Sequence, residues 1–215
     1  MKRITCTLLF SVLFFTWTAH GQTGTKKYVF YLHGRIVEVQ GANAVSEQYG
    51  KYEYENIVDA FKGKNIVVIS EVRPADTKIK SYAGKVVREI DSLLRKGVPP
   101  GNVTVIGASK GALIAMQVST DLKNKEVNYV FIAGSFRSVE QFGFDLYGNI
   151  LGIYEKSDPI AGNSYRPLIK SSTGVGEFKE IELNTGLGHG IVFKPLDAWV
   201  VPAKKWISGR THSSE

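Results

Sequence analysis

The amino-acid sequence predicts an α/β fold, a three-layer α/β/α sandwich built on a mostly parallel sheet of about six strands. Two observations carry this. Short β-rich apolar runs alternate along the chain with longer segments of helical periodicity, the pattern of strands joined by crossover helices on both faces. In addition, the run Val103-Thr104-Val105-Ile106 leads through Gly107-Ala108-Ser109-Lys110-Gly111 directly into Ala112-Leu113-Ile114-Ala115-Met116, giving strand, sharp turn and helix with a serine at the apex.

Strands are expected at residues 28–32, 66–70, 103–106, 129–133, 150–154 and 178–183, each bounded by polar or turn-forming residues. A helix is expected over 52–61. A longer one is expected over 78–96, where Val86, Val87, Ile90, Leu93 and Leu94 recur at helical spacing before Gly97 and Pro99-Pro100 end it. A third helix begins at Ala112, and the last covers about 195–206, with Pro202 expected to kink or shorten it. The chain has 215 residues, enough for one full core, and no repeat, low-complexity linker or composition shift marks a second domain. The folded domain is placed at 22–208 and a disordered tail at 209–215.

Residues 1–21 depart from the rest. Lys2 and Arg3 precede an apolar stretch over 4–17, then Thr18-Ala19-His20-Gly21, which reads as a secretory signal cleaved after about Gly21; the apolar part is short for a bilayer span. A retained membrane anchor is the alternative. The only cysteine, Cys6, falls inside the leader, so the mature chain is expected to use no disulfide, thiol nucleophile or thiolate metal site. Secretion, or export to a periplasm, follows. Loss of Lys2 and Arg3 lowers the formal charge from +7 to +5, and the remaining basic residues are scattered without aromatic interleaving, so no nucleic-acid partner is expected. Nor is a membrane partner expected after cleavage.

In an open parallel sheet the ligand site lies beyond the carboxyl ends of the strands. There the sequence places His33-Gly34-Arg35, Ser109, Glu155-Lys156-Ser157-Asp158-Pro159 and Gly186-Leu187-Gly188-His189-Gly190. A serine hydroxyl needs a base within hydrogen-bond reach, and the base needs an acid that fixes its tautomer. Among four histidines, His20 leaves with the leader, His212 lies in the tail and His33 belongs to the first turn, so His189 is the candidate base. Asp158 is the candidate acid, read alternatively as the start of an Asp-Pro turn, with Glu155 and Asp145 as the other acids available. Small residues beside Ser109 suit a tight turn that aims the Lys110 N–H at an oxyanion.

In this order of Ser, Asp and His, the chain resembles the α/β-hydrolase-fold serine hydrolases over residues 27–207, on its elbow 107–111, acid loop 158–160 and base loop 188–189. The resemblance implies that the His33-Gly34 turn supplies a second oxyanion donor, the N–H of Gly34 or of Arg35. Two departures are expected: no leading β-hairpin, and little room between 133 and 150 for a lid, hence an open site.

Arg35, Arg73 and Arg137 each follow an expected strand on the serine's side, with Lys110 in the elbow. They are candidates, together with His33, for binding a substrate carboxylate or phosphate; the alternative is salt bridges with Glu38, Glu71 or Asp76. No zinc-binding or phosphate-loop motif is present, and Gly186-Leu187-Gly188 lacks the later glycine of a dinucleotide loop, so no cofactor and no metal are expected. The functional expectation is a secreted serine hydrolase cleaving a carboxylic ester or related acyl bond of a small acyl substrate, neutral or anionic. Alternatives are a peptidase or acyltransferase on the same residues, or a non-catalytic binding protein. Oligomeric state is not readable from the sequence.

Overall fold

The computed structural model describes residues 25–135 and 142–209. Six strands, β1 (Lys27–Leu32), β4 (Ile66–Ile69), β5 (Val103–Ala108), β6 (Asn128–Ile132), β7 (Tyr147–Glu155) and β8 (Gly174–Leu183), form one sheet in the order β4-β1-β5-β6-β7-β8. Every neighbouring pair is parallel. A short hairpin, β2 (Val45–Ser46) with β3 (Gly50–Lys51), stands outside it.

Helices α1 (Arg35–Gln40), α2 (Tyr54–Ala60) and α6 (Asp197–Ser208) cover one face, and α3 (Ile79–Arg95), α4 (Lys110–Leu122) and α5 (Arg166–Ser171) the other. Alternation along β1 divides its side chains between two cores. Val29 and Tyr31 pack with Ile57, Phe61 and Trp199, whereas Phe30 and Leu32 pack with Val86, Ile90 and Ile114. Because both faces are covered, β1 and β5 read as continuous apolar runs rather than alternating ones.

All six expected strands and all four expected helices are present. β7 and β8 begin earlier than expected because Gly148, Gly174 and Gly176 interrupt the apolar signal at their starts. α6 is not shortened by Pro202 and runs on to Ser208. Unforeseen are α1, whose Ile36, Val37 and Val39 favour strands locally, and α5, too short to show a period. The expected leader and, beyond Gly209, the tail lie outside the described residues, as does 136–141 of the stretch expected to leave little room for a lid. No helix among the described residues is long and apolar enough to cross a membrane.

Topology places the site. From β1 the chain runs to α1 on one face and on to β4; from β5 it runs to α4 on the other face and on to β6. The chain thus diverges beyond the adjacent ends of β1 and β5, where Leu32 pairs with Gly107, and opens a crevice there. The two sides meet backbone to backbone: a Cβ on Gly111 would lie 1.8 Å from the Leu32 carbonyl oxygen, and one on Gly107 would lie 2.3 Å from the Gly111 oxygen. Gly111→Ala is therefore expected to destabilise the protein by about 3 kcal/mol or more, since backbone rather than a flexible side chain must move. Urea denaturation checks this; an unchanged midpoint would contradict it.

Candidate active site

Ser109 joins β5 to α4 with φ 54° and ψ −120°, a conformation rare for a residue with a side chain and costing about 1–3 kcal/mol. The surrounding hydrogen bonds hold it: its N–H donates to the Ile132 carbonyl at 2.9 Å and its carbonyl accepts the Ala112 N–H at 2.9 Å. The hydroxyl is thereby presented beyond the sheet.

His189 lies in a single 3-10 turn, Gly188–Val192, that follows β8. Its Nε2 is 2.9 Å from Ser109 Oγ and its Nδ1 is 2.6 Å from Asp158 Oδ2. Asp158 is buried, and its other oxygen accepts the N–H groups of Ile160 at 2.8 Å and Ala161 at 3.1 Å. Burial pushes its carboxyl up, but the hydrogen bond from His189 and those from the two amides outweigh this and hold it below the ordinary value. An ionised Asp158 accepts a hydrogen bond from Nδ1–H, which leaves Nε2 as the acceptor facing the serine. Asp158 thus also makes the Asx-type turn considered as its alternative.

The other two acids lie elsewhere. Asp145 accepts hydrogen bonds from Thr173, exposed and away from His189. Glu155 is fully buried and ties the acid loop to the base loop, accepting from the N–H and hydroxyl of Ser157 and of Thr185. Burial opposes its ionisation, yet these donors hold its carboxyl down at about 2.

The first turn is held as closely. Arg73 N–H donates to His33 Nε2 at 3.0 Å, so the imidazole proton sits on Nδ1 and is donated to the Gly34 carbonyl at 2.8 Å. Burial, then the Arg73 charge, lowers His33 to about 4 and keeps it neutral. The Gly34 N–H is directed to Tyr52 Oη at 3.4 Å. The Gly34 carbonyl faces the buried imidazole, so the N–H of the same trans peptide, that of Arg35, points the opposite way. Arg35 and Lys110 are the first residues of α1 and α4, where an N–H has no partner within its helix.

The side chains of His33 and Arg73, expected as substrate contacts, are turned inward to protein partners. Both are buried, and Arg73 is bound to Glu38 at 2.7 Å and to the His33 carbonyl; the salt-bridge alternative holds because a desolvated guanidinium needs a carboxylate. Lys110 Nζ is likewise bound to Glu38. The Arg35 residue is exposed, and Arg137 lies outside the described residues. No cluster of His, Cys, Asp or Glu among the described residues could hold a metal ion.

The sequence reading missed Tyr52 and Tyr49. Tyr49, between β2 and β3, stacks obliquely near His189 with centroids 6.5 Å apart, and a Cβ on Gly190 would come within 2.9 Å of its ring. Nothing local marks either tyrosine. Beside them lies a groove of about 700 Å³ lined by Tyr49, Pro159, Leu187, Lys194 and Leu196. A larger one, about 1120 Å³, runs along β8 and Trp206 and holds none of these residues.

Glu155→Gln keeps the shape but turns an amide onto groups that all donate, so a stability loss of about 1–3 kcal/mol is expected. The Glu155 carboxylate is easier to ionise folded than unfolded, so its contribution is whole above its ordinary value of 4.5 and fades as pH falls towards about 2. Urea midpoints measured across this window should fall more steeply with acid in the wild type than in the variant. Parallel curves would contradict the assignment.

No protein-family model matches the chain, and no curated protein matches it by sequence. Solved structures do. SOBER1 of Arabidopsis thaliana is similar at TM-score 0.59 and 16% identity, covering 86% of this chain and 98% of its own. A protein of unknown function from Agrobacterium tumefaciens, provisionally described as an α/β hydrolase, is similar at TM-score 0.61 and 16% identity, covering 88% of this chain and 87% of its own. Identity this low speaks to architecture alone, and that architecture agrees with the six-stranded parallel sheet and its flanking helices: the chain has the α/β-hydrolase fold.

Proposed function

We propose that this protein is a serine hydrolase that cleaves a carboxylic ester or related acyl bond through an acyl-enzyme. The observation that carries the reading is the continuous chain of hydrogen bonds from Ser109 Oγ through both nitrogens of His189 to a buried carboxylate that accepts from two further amides. Ser109 Oγ attacks the acyl carbon while His189 Nε2 takes the hydroxyl proton. Asp158 holds the imidazole in place and offsets its positive charge. The carbonyl oxygen, now an anion, receives the N–H groups of Lys110 and Arg35. Arg35 is preferred to Gly34 because the Gly34 N–H is turned to Tyr52 and its carbonyl is held by His33. The imidazolium returns the proton to the leaving group as the tetrahedral centre collapses, and water repeats the sequence to release the acid and free the serine.

The internal pairing of Arg73 and Lys110, which turns both side chains away from a substrate, supports an acyl ester without an obligatory anionic group. Export belongs to the same reading and is supported by Lys2-Arg3, the apolar run over 4–17 and the small residues before Gln22.

Intact-mass analysis of exported protein treated with a fluorophosphonate is expected to show one adduct, absent from Ser109→Ala and His189→Ala. Asp158→Asn should slow ester turnover about 10³–10⁴-fold with the fold retained. The same spectrum reads the amino terminus, expected near Gln22. A folded wild type that takes no label would contradict the hydrolase reading, and a retained leader would contradict export.

A further inference from the structure

Behind the two N–H donors lies a cluster of three charges that the proposed reaction does not otherwise use. Glu38 of α1 and Arg73, in the segment after β4, have side chains 1% and 0% exposed, and Lys110 of α4 is 17% exposed. Glu38 accepts from Arg73 Nε on one oxygen, at 2.7 Å, and from Lys110 Nζ on the other. Arg73 also donates to the His33 carbonyl and, through its backbone, to the His33 ring, while Lys110 Nζ donates to the Thr77 carbonyl at 2.7 Å.

Two consequences follow from this arrangement. A single carboxylate spans α1 and α4, the helices whose first N–H groups belong to Arg35 and Lys110, and so sets the separation of those groups. Two cations around one anion also give the trio a net charge of +1 in a poorly solvated place; the next carboxylate, Glu71, is engaged by Lys85 and Tyr82. His33 does not alter that balance, because it is neutral, held so in part by the Arg73 and Lys110 charges themselves. Arg73 Nη1 is buried without a hydrogen-bond partner among the described residues, and the guanidinium lies over the Tyr82 ring, 5.4 Å from its centroid. Unbalanced buried charge is unfavourable in the resting protein. It becomes favourable when an anion forms next to it, which is a difference between transition state and ground state and hence a contribution to rate rather than to binding.

We infer that Glu38, Arg73 and the Lys110 side chain are positioning residues for the oxyanion site: together they fix the Arg35 and Lys110 N–H groups and hold a net positive charge behind them. This rests on the serine-hydrolase reading above. Lys110 is the residue to vary, because its side chain can be changed while its N–H stays.

The test uses p-nitrophenyl acetate with the full mature protein. Lys110→Gln, which removes the charge, is expected to lower kcat about 10–100-fold with KM little changed, part of what one oxyanion donor is worth. Lys110→Arg, which keeps the charge, is expected to recover most of that loss. A merely structural lysine would instead give losses that follow thermal stability, with no advantage for arginine. Glu38→Gln, where it folds, should lower kcat as well, because losing the carboxylate that ties α1 to α4 releases the two N–H groups from their spacing and outweighs the added positive charge. Wild-type kcat in Lys110→Gln, or a loss confined to KM, overturns the inference while Ser109-dependent turnover leaves the hydrolase reading standing. A folded wild type with no Ser109-dependent turnover overturns both.

Discussion

The contact on which the site depends is backbone against backbone, Gly111 at the start of α4 seated against the carbonyls of Leu32 and His33 at the end of β1. Any side chain at 111 would separate the two strand ends. Their closeness lets one serine stand between the N-termini of two helices that leave the sheet on opposite faces. The strand order brings this about, since β1 and β5 are neighbours whose chains continue in opposite directions. The strained backbone of Ser109 is held by the hydrogen bond to Ile132 and by the first turn of α4.

Around that contact the protein buries carboxylates, and each is given donors before it is taken from water. Asp158 has two amides and an imidazole, Glu155 has two hydroxyls and two amides, and Glu38 has a guanidinium and an ammonium. Buried charges are tolerated only when so compensated. Each carboxylate also joins two segments distant in sequence: acid turn to base turn, β7 to the base loop, and α1 to α4. Polar groups hold the loops of the site together, whereas the two apolar cores hold the sheet and its helices.

Much of this was legible in the sequence. Ser109 and its elbow could be read because steric need left only glycine at 107 and 111, and the strands because burial on both faces demands unbroken apolar runs. His189 followed from counting histidines. What could not be read depends on contacts made in three dimensions. Glu155 ends β7 and Asp158 follows it, and only the fold turns one towards Thr185 and the other towards His189. The choice between Gly34 and Arg35 rests on Tyr52 and the His33 tautomer, neither of which has a local signal. Arg73 was placed on the correct side of the sheet, yet its side chain turns inward to Glu38. The charged residue within Ile36-Val37-Glu38-Val39 was the available hint of a buried ion pair there. Helix α1 escaped notice because its residues favour strands and only its place beyond β1 makes it helical.

The central claim is that Ser109 becomes acylated during turnover. It is tested most directly by mixing the protein with excess p-nitrophenyl acetate, quenching in acid at short times, and mapping the adduct by peptide mass. The account predicts a burst of p-nitrophenol approaching one equivalent if deacylation is slower than acylation, and an acetyl group on the peptide containing Ser109, with neither in Ser109→Ala. Acetylation of a different residue, or turnover that survives the loss of Ser109, would contradict it.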